Sequence, residues 1–225
     1  MGDTSFVWVN STPSQAVAGP DIPSLSLFAP PKSDIYASPG PPPLFVYTAP
    51  VVCRRVKKSC FSLARVTVSA KWTLQFDQGG LVVTIPTLNN ANPDASSGNV
   101  AESHPAWVKV GIEVNDGAPC VSIVGKSRNG WCDWSLVPLE KSSEAVSATL
   151  ELTRFKNALM VWLSKEGSRV LIRKVPWVFL DDEALSDDML VGIYAAQPDP
   201  DDKSGGKGLE VSFSDFRLEE VDGAS

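Results

Sequence analysis

Between Trp107 and Val114 the chain alternates strictly, with Val108, Val110, Ile112 and Val114 on one side and Trp107, Lys109, Gly111 and Glu113 on the other. A period of two residues is that of an extended strand with one buried face. Asn115-Asp116-Gly117 follows, residue types that accept positive φ, and Cys120 to Val124 supplies an apolar return, so a tight antiparallel hairpin is predicted. Runs rich in β-branched and aromatic residues predict further strands over 61–69, 72–76, 80–85, 147–154, 158–164, 169–173, 190–196 and 209–218. Asp182 to Leu190 is the one stretch that could coil, and it is too short and acidic to form a layer.

So many short strands with so little helix imply an all-β fold, a two-sheet antiparallel β-sandwich. At 225 residues the chain fits a single such domain spanning 1–225, because sandwiches often reach this size as one unit. Residues 11–50 hold most of the prolines, including Pro30-Pro31 and Pro41-Pro42-Pro43. That segment is expected to be extended and to wrap the sandwich. No repeat of solenoid or propeller period is present.

Charge narrows the partners. A net charge of -6 disfavours nucleic acid and anionic membranes, which need clustered cations. The one basic run, Arg54 to Lys58, is short and reads as a solvated loop or strand edge. No secretory signal and no membrane-length apolar run stand in the chain, so the cytoplasm is the expected address. The cysteines, at 53, 60, 120 and 132, lack metal-site spacing and read as reduced thiols. The segment 197–208 reads as a mobile acidic loop. Its aspartates 199 to 202 lack the spacing of a calcium loop, so neither metal nor cofactor is expected.

Four segments place polar or aromatic residues where a plain sandwich has no need of them: Asp77 to Leu81, Trp107 to Glu113, Trp131 to Ser135, and the region of Arg154. Lys109 and Glu113 share one strand face about 13 Å apart at ~3.3 Å per residue, with Gly111 leaving a gap between them. One reading is a groove that holds a carbohydrate or other small organic molecule. Trp107, Trp131, Trp134 and Tyr194 would supply its rings, and Gln78, Lys109, Glu113, Asp133 and Arg154 its polar contacts. The other reading, of equal weight, is that the ions pair across strands and the tryptophans fill the core edge.

Catalytic signatures are sparse. His104 is the only histidine, in a predicted surface loop, and no nucleophile elbow accompanies it. Glu113 has Gly111 and Asn115 two residues away, so the paired carboxylates of a glycosidase are missing from that strand. If the chain is an enzyme, it is a cofactor-independent isomerase, cyclase or lyase of fungal-type specialised metabolism. Glu113 or His104 would then be the acid or base, and Lys109 the stabiliser of negative charge. A regulator acting through an exposed sheet face is a third reading, and a homodimer is left open.

The ordered set Asp77-Gln78-Gly79-Gly80-Leu81-Val82-Val83, Trp107 to Glu113, Val121 to Val124 and Asp133-Trp134-Ser135 resembles a family of unknown function. That family includes the yeast regulation-of-enolase protein and bacterial YesU. Ser33-Asp34-Ile35-Tyr36, Val191 to Pro198 and Val211 to Phe216 fit the same pattern, so the resemblance covers nearly the whole chain. It implies a concanavalin A-like lectin/glucanase jelly roll and says little about activity. Asn89 to Glu102 and the prolines of 38–43 depart from the pattern as loops expected at one end of the sandwich.

Overall fold

The computed structural model describes residues 5–12, 21–97, 103–139, 146–165, 167–199 and 202–221. Two large antiparallel sheets stack face to face. The first contains seven strands, in the spatial order β1 (Val7–Val9), β5 (Val51–Lys57), β14 (Asp188–Ala196), β7 (Gln78–Ile85), β8 (Ala106–Asn115), β9 (Ala118–Lys126) and β10 (Asp133–Pro138). The second contains six: β13 (Ser168–Val175), β12 (Ala158–Lys165), β11 (Ser147–Phe155), β6 (Phe61–Ala70), β15 (Leu209–Glu220) and β2 (Ile22–Ala29). A separate hairpin, β3 (Ile35–Ser38) and β4 (Leu44–Tyr47), lies on the outer face of the seven-stranded sheet and carries the prolines of 38–43 in its turn.

Alternation decides which side chains enter the sandwich. Val108, Val110 and Ile112 of β8 join Val191 and Ile193 of β14 and Leu150 and Leu152 of β11 in the core between the sheets. The opposite face of β8 and its neighbours builds a second, smaller core. There Trp107, Val82, Val124 and Tyr194 pack under Ile35 and Tyr47 of the hairpin and its flanks. A sheet with apolar residues on both faces must be covered on both, and the N-terminal segment supplies the second cover.

The β8–β9 turn is the predicted one. Asn115 pairs with Ala118, leaving Asp116 and Gly117 as a two-residue loop with φ of 50° and 72°.

Several expectations are corrected. Residues 72–76 form a turn, folded around the Asp77 carboxylate, which accepts the Thr73 and Leu74 backbone amides. The segment 182–190 holds no helix, and Ala95–Ser97 is a short 3-10 turn. Arg54 to Lys58 is not a solvated run, since Arg54 and Lys58 are both buried. Its first four residues end β5, past the reach of β1 and paired with β14 alone, and the Arg54 guanidinium is paired to Glu220 at 2.9 Å. In the 197–208 segment Asp199 is buried, and its carboxylate accepts the backbone N–H groups of Lys203 and Ser204. Pro200 and Asp201 of that segment, residues 98–102 of the Asn89 insert and 13–20 of the proline-rich segment lie outside the described residues. No helix among the described residues is long and apolar enough to cross a membrane.

Candidate functional site

Three glycines lower the outer face of the seven-stranded sheet. Gly80 pairs with Gly111, and Gly192 stands on the adjacent strand opposite Val82. A Cβ at Gly80 would overlap the Val110 carbonyl, and one at Gly111 the Gly79 carbonyl, so these positions tolerate no side chain. Tyr194, opposite Gly80, is fully buried. Its hydroxyl donates to Gln78 Oε1 at 3.3 Å and Lys109 Nζ lies 5.9 Å from its ring centre, so the ring spans the lowered strip.

Beside this strip, between the sheet and the hairpin, is a cavity of about 490 Å³. The sheet gives it Gln78, Lys109, Glu113 and Trp134; the hairpin gives Asp34, Tyr36 and Pro39; Trp131, Cys132, Phe76 and Pro198 close its rim. Lys109 Nζ donates to Asp34 Oδ1 at 3.0 Å, which ties the hairpin to the sheet, and Cys132 Sγ accepts the Ala37 N–H at 3.1 Å. Trp134 Nε1 donates to Glu113 Oε2 at 3.2 Å and to Ser122 Oγ at 3.0 Å. Burial raises the Glu113 carboxyl above the usual carboxylate range. Lys109 and the bonds from Ser122 and Trp134 oppose that shift, while the Asp34 charge adds to it.

Five of the side chains singled out in the sequence therefore border one cavity: Gln78, Lys109, Glu113, Trp131 and Trp134. Tyr194 is beneath it. Four stand elsewhere. Trp107 faces the same side as Lys109 but is fully buried under the hairpin, because the second core needs a large ring there. Asp133 is exposed and pairs with Arg173. Arg154 belongs to the other sheet, where it donates to the Lys58 carbonyl and stacks on Phe179 at 4.6 Å.

His104 is not in a surface loop. It is buried between Phe45, at 4.9 Å between ring centres, and Tyr47. Burial, and then the Lys126 charge, hold its pKa down to about 4. A base whose folded pKa lies below the ordinary 6.5 is protonated more readily in the unfolded chain, so its contribution to stability is complete above 6.5 and is lost as pH falls toward 4. His104→Phe is expected to shrink the drop in urea midpoint between pH 7 and pH 5. An unchanged drop would place the acid-sensitive group elsewhere.

The residues that sequence reasoning left out of the site are Asp34, Tyr36, Phe76 and Cys132. For the first two a signal existed, since Ser33-Asp34-Ile35-Tyr36 is part of the resemblance. Phe76 carries none. It sits at φ 67°, a left-handed conformation that bulky residues avoid, held by its N–H to the Val114 carbonyl. A wider groove of about 700 Å³ beside β2 is lined by hydroxyls such as Ser24, Ser26 and Ser212 and by the rings of Trp8, Phe28 and Phe213, with Glu210 as its one ionisable group. What sets the smaller cavity apart is its cluster of ionisable side chains, Asp34, Lys109 and Glu113, beside the rings.

Comparison with known proteins places these observations in a family. A family model described as protein of unknown function (DUF1349) matches residues 8–221. An uncharacterized protein of Emericella nidulans is 35% identical over 195 residues, covering 86% of this chain and 85% of that one. Regulation of enolase protein 1 of Saccharomyces cerevisiae is 29% identical over 156 residues, covering 69% of this chain and 62% of its own length. A functionally unknown protein from Saccharomyces cerevisiae superposes with a TM-score of 0.67, at 24% identity and 97% coverage of both chains. The xyloglucan PUL protein GH43B of Bacteroides ovatus superposes with a TM-score of 0.57 at 13% identity, over 88% of this chain and 33% of that one. At such identities these superpositions establish the sandwich fold and nothing finer.

Proposed function

Because this chain belongs to the DUF1349 family, whose fold hosts many unrelated activities, we propose its function from the cavity: it binds a small cyclic, hydroxylated organic molecule of carbohydrate type. One observation carries the reading. Tyr36, Trp131 and Trp134 are each exposed by about two fifths (38%, 41% and 44%) and ring a cavity whose floor holds buried Glu113, Gln78 and Lys109. Half-exposed rings over a polar floor suit a ligand with one apolar face and hydroxyls at its edge. A volume of about 490 Å³ is within the range of small-molecule sites. The likeness to a glycoside hydrolase chain adds only the fold, and to a third of that chain.

Calorimetric titration against a panel of mono- and disaccharides tests it. At least one sugar is expected to bind the wild type, and Trp131→Ala and Glu113→Gln are each expected to weaken it by tenfold or more. Binding that survives both substitutions would move the site elsewhere, and silence across the panel would overturn the reading.

Stability sharpens the test. An acid whose folded pKa is raised stabilises the fold only while protonated, below its unfolded pKa, and that contribution is lost as pH rises through the folded value. Glu113→Gln is therefore expected to melt no lower than wild type at pH 8, with its advantage shrinking as the solution is acidified. A large fall in melting temperature would instead make Glu113 a structural partner of Trp134.

The same raised carboxyl favours a second reading, proton transfer by Glu113 on the bound molecule. Incubation of a bound sugar with protein in deuterated water, followed by proton NMR, separates the two: exchange or rearrangement of ring hydrogens marks turnover, and an unchanged spectrum marks a binding module.

A further inference from the structure

On the sheet side of this cavity the donors are turned to neighbours, while Trp131, Tyr36 and Ser38 also border it. The Trp134 indole N–H is shared between Glu113 and Ser122, the Gln78 amide donates to the Phe76 carbonyl at 3.2 Å, and Lys109 donates to Asp34. Lys109 is moreover turned inward, its side chain only 4% exposed and its ammonium 5.7 and 5.9 Å from the Trp107 and Tyr194 rings. Acceptors fare differently. Both bonds described for Asp34 fall on Oδ1, one from Lys109 and one from the Ile35 N–H, and Glu113 receives Trp134 on Oε2. Each carboxylate oxygen has two lone pairs, so both carboxylates keep acceptor capacity to spare.

Charge points the same way. Two carboxylates border the cavity against one ammonium, and that ammonium is neutralised by Asp34 at 3.0 Å. Glu113 is left as the carboxylate without a cation of its own in contact, in a chain of net charge -6. Around it stand four aromatic rings, Tyr36, Phe76, Trp131 and Trp134, with Phe76 set edgewise against Trp134 at 6.2 Å. Ring faces beside a buried carboxylate attract cations by the quadrupole and by Coulomb's law together.

We infer that the molecule bound here carries a cationic nitrogen, as an amino sugar or another protonated cyclic amine does. This rests on the cavity being the binding site. A neutral sugar would leave the Glu113 charge unmatched, and an anionic ligand would be repelled by it. An ammonium group supplies donors and the missing positive charge in one atom.

Three probes of one ring separate the outcomes: glucosamine, N-acetylglucosamine and glucose, titrated at about pH 6.5, where a free amine stays largely protonated. Glucosamine is expected to bind at least tenfold tighter than either neutral probe. In Glu113→Gln, which keeps the size of the side chain and removes its charge, that preference is expected to collapse to within about twofold. Equal binding of all three, or a preference for the neutral probes, overturns the cationic inference and leaves the carbohydrate reading intact. If none of the three binds while another sugar of the wider panel does, the cationic inference falls alone; if the whole panel is silent, both fall. A glucosamine preference that persists in Glu113→Gln assigns the cation to some other group and also overturns the inference.

Discussion

Gly111→Ala is expected to destabilise the protein by at least about 3 kcal/mol, which for a chain of this length lowers the melting temperature by roughly 6 to 12 °C. The cause is backbone against backbone. A methyl at this position would overlap the carbonyl of Gly79 on the neighbouring strand, and neither strand can move away without breaking the β7–β8 ladder at the centre of its sheet. Gly125 offers the control. It lies on the next strand, and an added Cβ there would come no closer than 3.7 Å to Trp177 and 3.9 Å to Val108. Gly125→Ala is expected to shift the melting temperature by less than about 2 °C, consistent with changes below about 0.5 kcal/mol where nothing is crowded. Equal, small effects from both alanines would mean that the outer strip is not tightly closed.

The same strand shows why the fold was legible. In β8 every second residue is apolar, and a face buried against a second sheet requires that period. In β2, Leu25, Leu27 and Ala29 alternate with exposed Ser24, Ser26 and Phe28, yet Pro23 and the surrounding prolines mark the stretch only as extended wrapping and not as a strand of the sheet. An edge strand tolerates that proline because one side of its ladder needs no N–H. β5 was hidden by its charges, and only the far end of β15 shows that Arg54 has a carboxylate waiting in Glu220. Within the site, the polar residues of β7 and β8 stand out because a sandwich face gives them no reason to be there. The hairpin half of the cavity does not stand out. Asp34 is 75 residues from Lys109 in sequence, and an ion pair across that distance leaves no periodic trace.

Asp77→Ala is expected to cost about 3 to 5 kcal/mol and also to weaken ligand binding, although Asp77 does not line the cavity. The carboxylate is fully buried. Its Oδ2 accepts the N–H groups of Thr73 and Leu74, at 3.1 and 2.9 Å, and its Oδ1 accepts the Gln197 amide at 3.0 Å from the end of β14. Alanine leaves these donors without an acceptor, at about 1 to 3 kcal/mol for each that stays buried. The turn they close holds Phe76 at its positive φ and passes directly into Gln78, so its loosening reaches two residues of the cavity wall. Asp77→Asn separates hydrogen bonding from charge. Its remaining oxygen can still accept Thr73 and Leu74, and its new amide can donate to Gln197 once that side chain rotates to present Oε1, which has no partner among the described residues. The asparagine variant is therefore expected to lose only about 1 kcal/mol and to keep most of its affinity. Urea midpoints and calorimetry on both variants check this, and an asparagine as damaging as the alanine would show that the negative charge itself holds the turn.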